Sequence, residues 1–279
     1  MKRRDEDASI EQLVINSILE VRNIHFRMGI KKIYGLLSPD WIGRDKFIRI
    51  GVDNGLVLQR PKNYARTTFS TKSSRFINLL VNKPINDINK VWVSDITYIR
   101  IQDIFYYITL IMDVYSRRIL GYSASKDLRA ISSCRALELA IRTRIGCILS
   151  DLIHHSDRGV QYISNEYLKK LNDKSIGVSM CNSVYENTHI ERVNGIIKNE
   201  YLIPLGIKSF NALGIELKRS VKKYNEMRPH WSLGFLTPID FEEKIRTIPI
   251  QEREVLYLYT EGNKIYQQEE LFSREQLGY

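Results

Sequence analysis

Cysteine is scarce in this 279-residue chain: Cys134, Cys147 and Cys181 are odd in number, widely spaced and never arranged as Cys-x-x-Cys. Neither a disulfide framework nor a cysteine-held zinc site is expected. The five histidines lack zinc-finger spacing. No apolar run approaches the roughly 20 residues of a membrane helix. The opening MKRRDEDASIEQ has no apolar signal-peptide stretch. A cytoplasmic protein with no membrane partner is the expectation. Repeats and low-complexity tracts are also missing. What is present is enough apolar material, 43% of residues, to bury a core for one large domain and a smaller one.

The net charge is +10, and it is unevenly placed. Residues 1–83 hold 16 Lys/Arg against 8 Asp/Glu, and the remainder is nearly balanced. A basic segment of this kind points to a polyanion partner, nucleic acid first, against the plainer reading of a solvated surface. Three short helices are predicted there. Ile10–Phe26 has apolar positions Leu13, Val14, Ile18, Leu19 and Val21. Lys31–Leu37 follows, then Arg44–Val52, with Phe47 and Ile48 inward, Arg44, Lys46 and Arg49 outward, and Gly51 weakening the far end. Three helices with a basic third suit a helix-turn-helix over residues 1–64. Small bundles without a DNA partner share the pattern.

Residues 65–90 read as a linker. From Val91 the periodicity changes. Strands are predicted over Val91–Ile101, Phe105–Val114 and Arg118–Ser125, an antiparallel run. A helix over Ala130–Arg144, a strand over Asp151–His155, a helix over Asn165–Asn172, a strand over Ile176–Met180 and helices over Asn187–Tyr201 and Ser209–Asn225 follow. This is a mixed α/β layer fold spanning 91–241. Residues 242–279 read as an appended tail.

Three acidic residues sit in distinctive surroundings: Asp95 in VWVSDITYI, Asp157 in LIHHSDRGVQY and Glu191 in YENTHIERVNGIIKNEY. The predicted elements put Asp95 on a strand, Asp157 just past a strand end and Glu191 in the first turns of a helix. Such positions can converge in an open sheet. Carboxylates held close repel one another, and hard divalent cations relieve that repulsion. Two such ions can clamp the attacking and leaving oxygens at a phosphorus. A lone acid is far more often a solvated charge. Asp113, beside Tyr115-Ser116-Arg117, reads as a turn cap.

These segments, with DVYSRRILGY (Asp113 to Tyr122) and YNEMRPHWSLGFLTP (Tyr224 to Pro238), resemble the OrfB-type insertion-sequence transposases of the DDE, retroviral-integrase-like superfamily. The similarity runs from about Ile10 to Phe241. It implies a ribonuclease H-like mixed sheet flanked by helices, and a metal-binding triad of Asp95, Asp157 and Glu191. Mg²⁺ (or Mn²⁺) would be the cofactor, two ions in the full arrangement. The implied activity is nicking at element ends and strand transfer into target DNA, with no covalent enzyme–DNA intermediate. Implied partners are DNA, further copies of the chain and a first-frame (OrfA) product. A ribonuclease H-like nuclease and a non-cutting regulator of transposition are the alternatives. The interval between Asp157 and Glu191, 33 residues, is two shorter than the family's commoner spacing and reads as a trimmed loop.

Several neighbours have two readings each. Glu191, Asn194 and Lys198 share one helix face, so Lys198 can reach a DNA phosphate or simply be solvated. Asn187 reads as a helix cap. One of His154 and His155 should face the core, as should Trp92. Arg158 and Gly159 shape the turn that aims Asp157. Arg228 and His230 either contact DNA or hold a structural loop.

Overall fold

The computed structural model describes residues 2–59, 76–181 and 187–260, with side chains from residue 7 onward. Contacts divide the chain into two compact units, 1–66 with 196–206 and 67–195 with 207–279.

The first unit has three helices: α1 (Lys2–Ile24), α2 (Ile30–Leu37) and α3 (Arg44–Asp53). Val14, Ile18 and Val21 recur at helical spacing and form the buried stripe of α1, packing with Met28, Ile30, Ile33, Ile42 and Phe47. Leu13 and Leu19, counted on the apolar side in the sequence, face solvent. Gly51 does not end α3 early. It is buried, and a Cβ there would press on Ile30 and Ile18, so the missing side chain lets three helices meet. His25 Nδ1 lies 2.8 Å from the Tyr201 hydroxyl, which ties the 196–206 segment into this unit.

The second unit is built on a five-stranded mixed sheet ordered β3-β2-β1-β4-β5. The strands are β1 (Val91–Ile101), β2 (Ile104–Asp113), β3 (Ile119–Ser125), β4 (Ile153–Ser156) and β5 (Gly177–Met180). β1, β2 and β3 pair antiparallel, whereas β4 runs parallel to β1 and β5 parallel to β4. The helices are α4 (Ala130–Thr143), α5 (Asn165–Asn172), α6 (Thr188–Ile196), α7 (Phe210–Met227) and α8 (Pro238–Arg246). Chain order and sheet order together make a ribonuclease H-like core. The main cluster joins Trp92, Ile111, Leu120, Leu137, Tyr162 and Tyr167 between the sheet and α4 and α5. Strand alternation then turns Asp95, Thr97 and Ile99 to the other face.

The helix expected over Asn187–Tyr201 is α-helical only to Ile196 and continues as a π-helix over Ile197–Leu202. The described part of the 65–90 stretch packs on the unit: Leu80 and Ile85 are fully buried, and Ile85 bridges Leu256. The stretch read as a tail begins at a buried acid. Glu242 on α8 accepts from Arg118 Nη1 (2.7 Å), Arg144 Nη1 (2.8 Å) and Ser116 Oγ (2.7 Å). Burial alone would raise its carboxyl. The Arg144 hydrogen bond and charge, with Arg118, hold it below the ordinary value instead. Among the described residues, no helix is long and apolar enough to cross a membrane.

Two substitutions test this architecture. A Cβ at Gly121 would overlap the Ala136 carbonyl of α4. Gly121→Ala should therefore cost at least about 1–3 kcal/mol in urea unfolding, the usual range for overpacking. Glu242→Ala leaves Arg144, almost wholly buried, without its counter-charge. A loss of about 3–5 kcal/mol is expected in the same measurement.

Candidate active site

The parallel pairing of β1 with β4 runs Val91↔Ile153, Trp92↔His154, Val93↔His155 and Ser94↔Ser156, and there it stops. The next residue on each strand is an aspartate. Asp95 and Asp157 therefore stand side by side one step beyond the last pair, on strands about 4.8 Å apart.

Both positions are braced. Ser94 is fully buried; its Oγ donates to the Leu110 carbonyl (3.1 Å) and lies 2.9 Å from the Tyr162 hydroxyl. Asn187, just ahead of α6, donates from Nδ2 to the Ser94 carbonyl (3.2 Å). Its Oδ1, the atom a helix cap would use, has no hydrogen-bond partner, so Asn187 ties α6 to β1 and does not cap it. Gly159 N–H donates to Asp157 Oδ1 (3.0 Å), and Arg158 Nε donates to the Cys181 carbonyl (2.8 Å). Those two residues do shape the turn that aims Asp157.

Glu191 lies in the first turns of α6, and Asn194, one turn on, donates from Nδ2 to Asp95 Oδ2 (2.8 Å). The charges interact. Burial raises the Asp95 carboxyl most, and the neighbouring Asp157 charge and then Glu191 add to it; the Ile96 N–H and Asn194 oppose them, leaving it at about 8. Asp157 is raised as well, by burial, against the Gly159 hydrogen bond. Three carboxylates thus share one electrostatic neighbourhood. Among the described residues, no three acidic, histidine or cysteine side chains are already gathered at metal-ligand spacing. The donor set nonetheless suits a hard cation: the carboxylates supply oxygens, and the Oδ1 atoms of Asn187 and Asn194 are buried without hydrogen-bond partners. Asn194 was legible only as a residue sharing the Glu191 face; its bond to Asp95 depends on how α6 docks.

Other predicted residues fall elsewhere. Arg44, Lys46 and Arg49 are exposed on α3 of the first unit, with Lys46 paired to Asp7 (3.2 Å). Lys198 lies in the π-helical segment grouped with that unit. The trimmed loop falls largely on 182–186, outside the described residues. His154 and His155 are both buried. His154 meets the Tyr167 hydroxyl (2.8 Å) and His155 the Ser179 hydroxyl (2.8 Å). Burial lowers them to about 3 and about 4, so both are neutral packing groups. Arg228 and His230 are buried too, His230 edge-on to Tyr224 at 4.8 Å, which makes the loop structural. Asp113 caps its turn, accepting from the N–H groups of Tyr115 (3.0 Å), Ser116 (3.0 Å) and Asn89 (2.6 Å).

Residues 86–184 and 178–238 match two family models, each described as integrase core domain. The chain is 28% identical over 237 residues to the insertion element IS600 uncharacterized 31 kDa protein of Shigella sonnei, covering 81% of this chain and 86% of that protein. It is 33% identical over 160 residues to the putative transposase for insertion sequence element IS986/IS6110 of Mycobacterium tuberculosis, covering 55% of this chain and 58% of that one. Among solved structures, a chain of a simian T-cell lymphotropic virus intasome shares the fold, at TM-score 0.51 and 15% identity over 85% of this chain and 78% of that one.

A raised carboxyl has a measurable cost. Asp95 takes up a proton on folding wherever the unfolded chain is ionised, so its contribution to stability is complete below about 3.8 and is lost as pH rises through about 8. In EDTA, Asp95→Asn should therefore melt higher than the parent at pH 8, with the gap closing toward pH 4. An equal gap at both pH values would contradict this electrostatic picture.

Proposed function

Since the chain belongs to the OrfB-type insertion-sequence transposases that carry an integrase core domain, we propose that Asp95, Asp157 and Glu191 are its metal-binding catalytic triad. The observation that carries this reading is the β1–β4 register, which ends one residue before two neighbouring aspartates. The influence of Glu191 on Asp95 supports it. Asp95, Asp157 and Glu191 would hold Mg²⁺ or Mn²⁺, as two ions, which would supply Lewis-acid activation of the attacking oxygen and neutralise charge at the scissile phosphate.

The chain's own groups do the holding and aiming. Asp95 is fixed by Asn194 and Asp157 by Gly159, so neither carboxylate swings freely. Glu191 brings the third carboxylate from a helix. Water forms the new bond to phosphorus and the element's 3′ oxygen leaves. That freed 3′-hydroxyl then attacks a second phosphodiester, exchanging one P–O bond for another. No protein nucleophile is needed. The two hydroxyls beside Asp95, those of Ser94 and Tyr162, are buried against each other. Positioning and charge neutralisation carry most of catalysis in such transfers.

We assign α3, through Arg44, Lys46 and Arg49, to DNA contact, and Lys198 to a phosphate. The helical domain over 1–64 and the catalytic core over 91–241 divide binding from chemistry in this reading. DNA ends and target, further copies of the chain and a first-frame product are the proposed partners, and the cytoplasm the proposed compartment.

Labelled element ends incubated with Mg²⁺ test the assignment. Nicked and joined products should appear with the parent protein, alone or with the first-frame product, and fall at least about a hundredfold in Asp157→Asn, the scale on which losing a key electrostatic group acts. Cutting that persists in Asp157→Asn sinks the triad. Binding without any cutting would make the chain a regulator, and cutting confined to RNA–DNA hybrids a nuclease.

A further inference from the structure

The mechanism leaves one cationic cluster unused, at the start of the helix that carries Glu191. Arg117 occupies the β2–β3 turn with φ of 59°, a left-handed conformation uncommon for a residue other than glycine. Its guanidinium Nη1 donates to His189 Nδ1 at 2.8 Å. Among the described residues this is its only hydrogen bond, and it forms no salt bridge. The carboxylate whose charge it feels, Asp113, already accepts from three backbone N–H groups.

That geometry dictates the histidine's tautomer. A guanidinium only donates, so Nδ1 must accept and Nε2 must carry the proton. No described group accepts from that Nε2–H. Arg192 lies one helical turn beyond His189, on a neighbouring position of the same face. It is exposed, and its positive charge reaches both Arg117 and His189. The neutral imidazole therefore has one guanidinium bonded to its Nδ1, the charge of Arg192 within reach, and an Nε2–H with no acceptor among the described residues. Structural bracing of α6 explains the Arg117–His189 bond. It does not account for the Nε2–H that is left without a described acceptor.

We propose that Arg117, His189 and Arg192 form a binding site for a DNA backbone phosphate adjoining the reacting one. Arg192 supplies the charge, His189 Nε2–H the directional hydrogen bond, and Arg117 positions His189. The proposal rests on Glu191 belonging to the catalytic centre, which sets the site beside the chemistry.

Binding of a labelled element-end duplex by the full chain in EDTA, followed across KCl concentrations, tests it without cutting. Arg192→Gln should reduce the slope of log affinity against log salt by about 0.9, the value of one phosphate contact. His189→Phe should weaken binding about tenfold, the scale of a hydrogen bond to a charged group, with the slope unchanged. Phosphates neutralised singly as methylphosphonates should reveal one whose loss weakens the parent but not Arg192→Gln. Both variants must keep the parent's circular dichroism, since Arg192 is exposed but His189 is half-buried. Parent-like slopes, or a reduced slope with no such phosphate, would overturn the site. So would inorganic phosphate protecting the parent's duplex complex no differently from that of Arg192→Gln while every methylphosphonate acts alike on both. If the parent binds in this way but never cuts with Mg²⁺, the triad fails and the phosphate site stands.

Discussion

Asp95 and Asp157 are held side by side because the parallel pairing of β1 with β4 stops one residue before both of them. Two carboxylates at that separation, in a desolvated setting, resist joint ionisation. The chain does not relax the conflict by turning one of them away. It pins both, through the Asn194 amide on one and the Gly159 N–H on the other. It pins the strand behind them as well, through Ser94, Tyr162 and Asn187. Strain of this kind persists only where the surroundings over-determine it, and functional sites are where it collects.

The second group of buried acids makes the contrast plain. Asp113 and Glu242 are as deeply enclosed as any acid among the described residues, yet nothing there calls for a ligand. Arg118, Arg144 and Ser116 hold Glu242, and backbone N–H groups hold Asp113. That cluster is electrically closed and serves as a fastening between α8, α4 and the β2–β3 turn. Around Asp95, among the described residues, the donors that lower its carboxyl are the Asn194 amide and the Ile96 backbone N–H. Burial alone therefore does not separate a structural acid from a functional one. The presence or absence of a cation in the same pocket does.

Much of this was legible in the chain itself, for physical reasons. β1 and α5 have the limits read from the chain, since an apolar, β-branched run closed by Gln102-Asp103 and a short amphipathic helix are both written locally. The acidic trio stood out through its neighbours. What stayed hidden depended on docking between distant segments. Nothing local says that Gly121 faces the Ala136 carbonyl, that Gly51 lets three helices meet, or that Glu242 lies inside. The two histidines before Asp157 were read as one in and one out, because strand alternation alone implies that. β4 is buried along its whole length between β1 and β5, so both faces are interior. Asn187 looked like a cap because its type and place allow one, and its actual partner lies on another element.

The same long-range bonds bear on the shortened interval before Glu191. A trimmed loop would misplace the acid if the loop set the position of α6. It does not act alone: Asn187 bonds the Ser94 carbonyl and Asn194 bonds the Asp95 carboxylate. The two asparagines are seven positions apart, about 10 Å along a helix axis at 1.5 Å per residue. Two tethers that far apart on the helix, made to adjacent residues of one strand, fix both the axial position and the rotation of a short helix. Glu191 lies between them, so its placement is referred to β1, the strand that carries Asp95. The length of the connection from β5 is then free to vary as long as it can span the gap, and the carboxylates keep their mutual geometry.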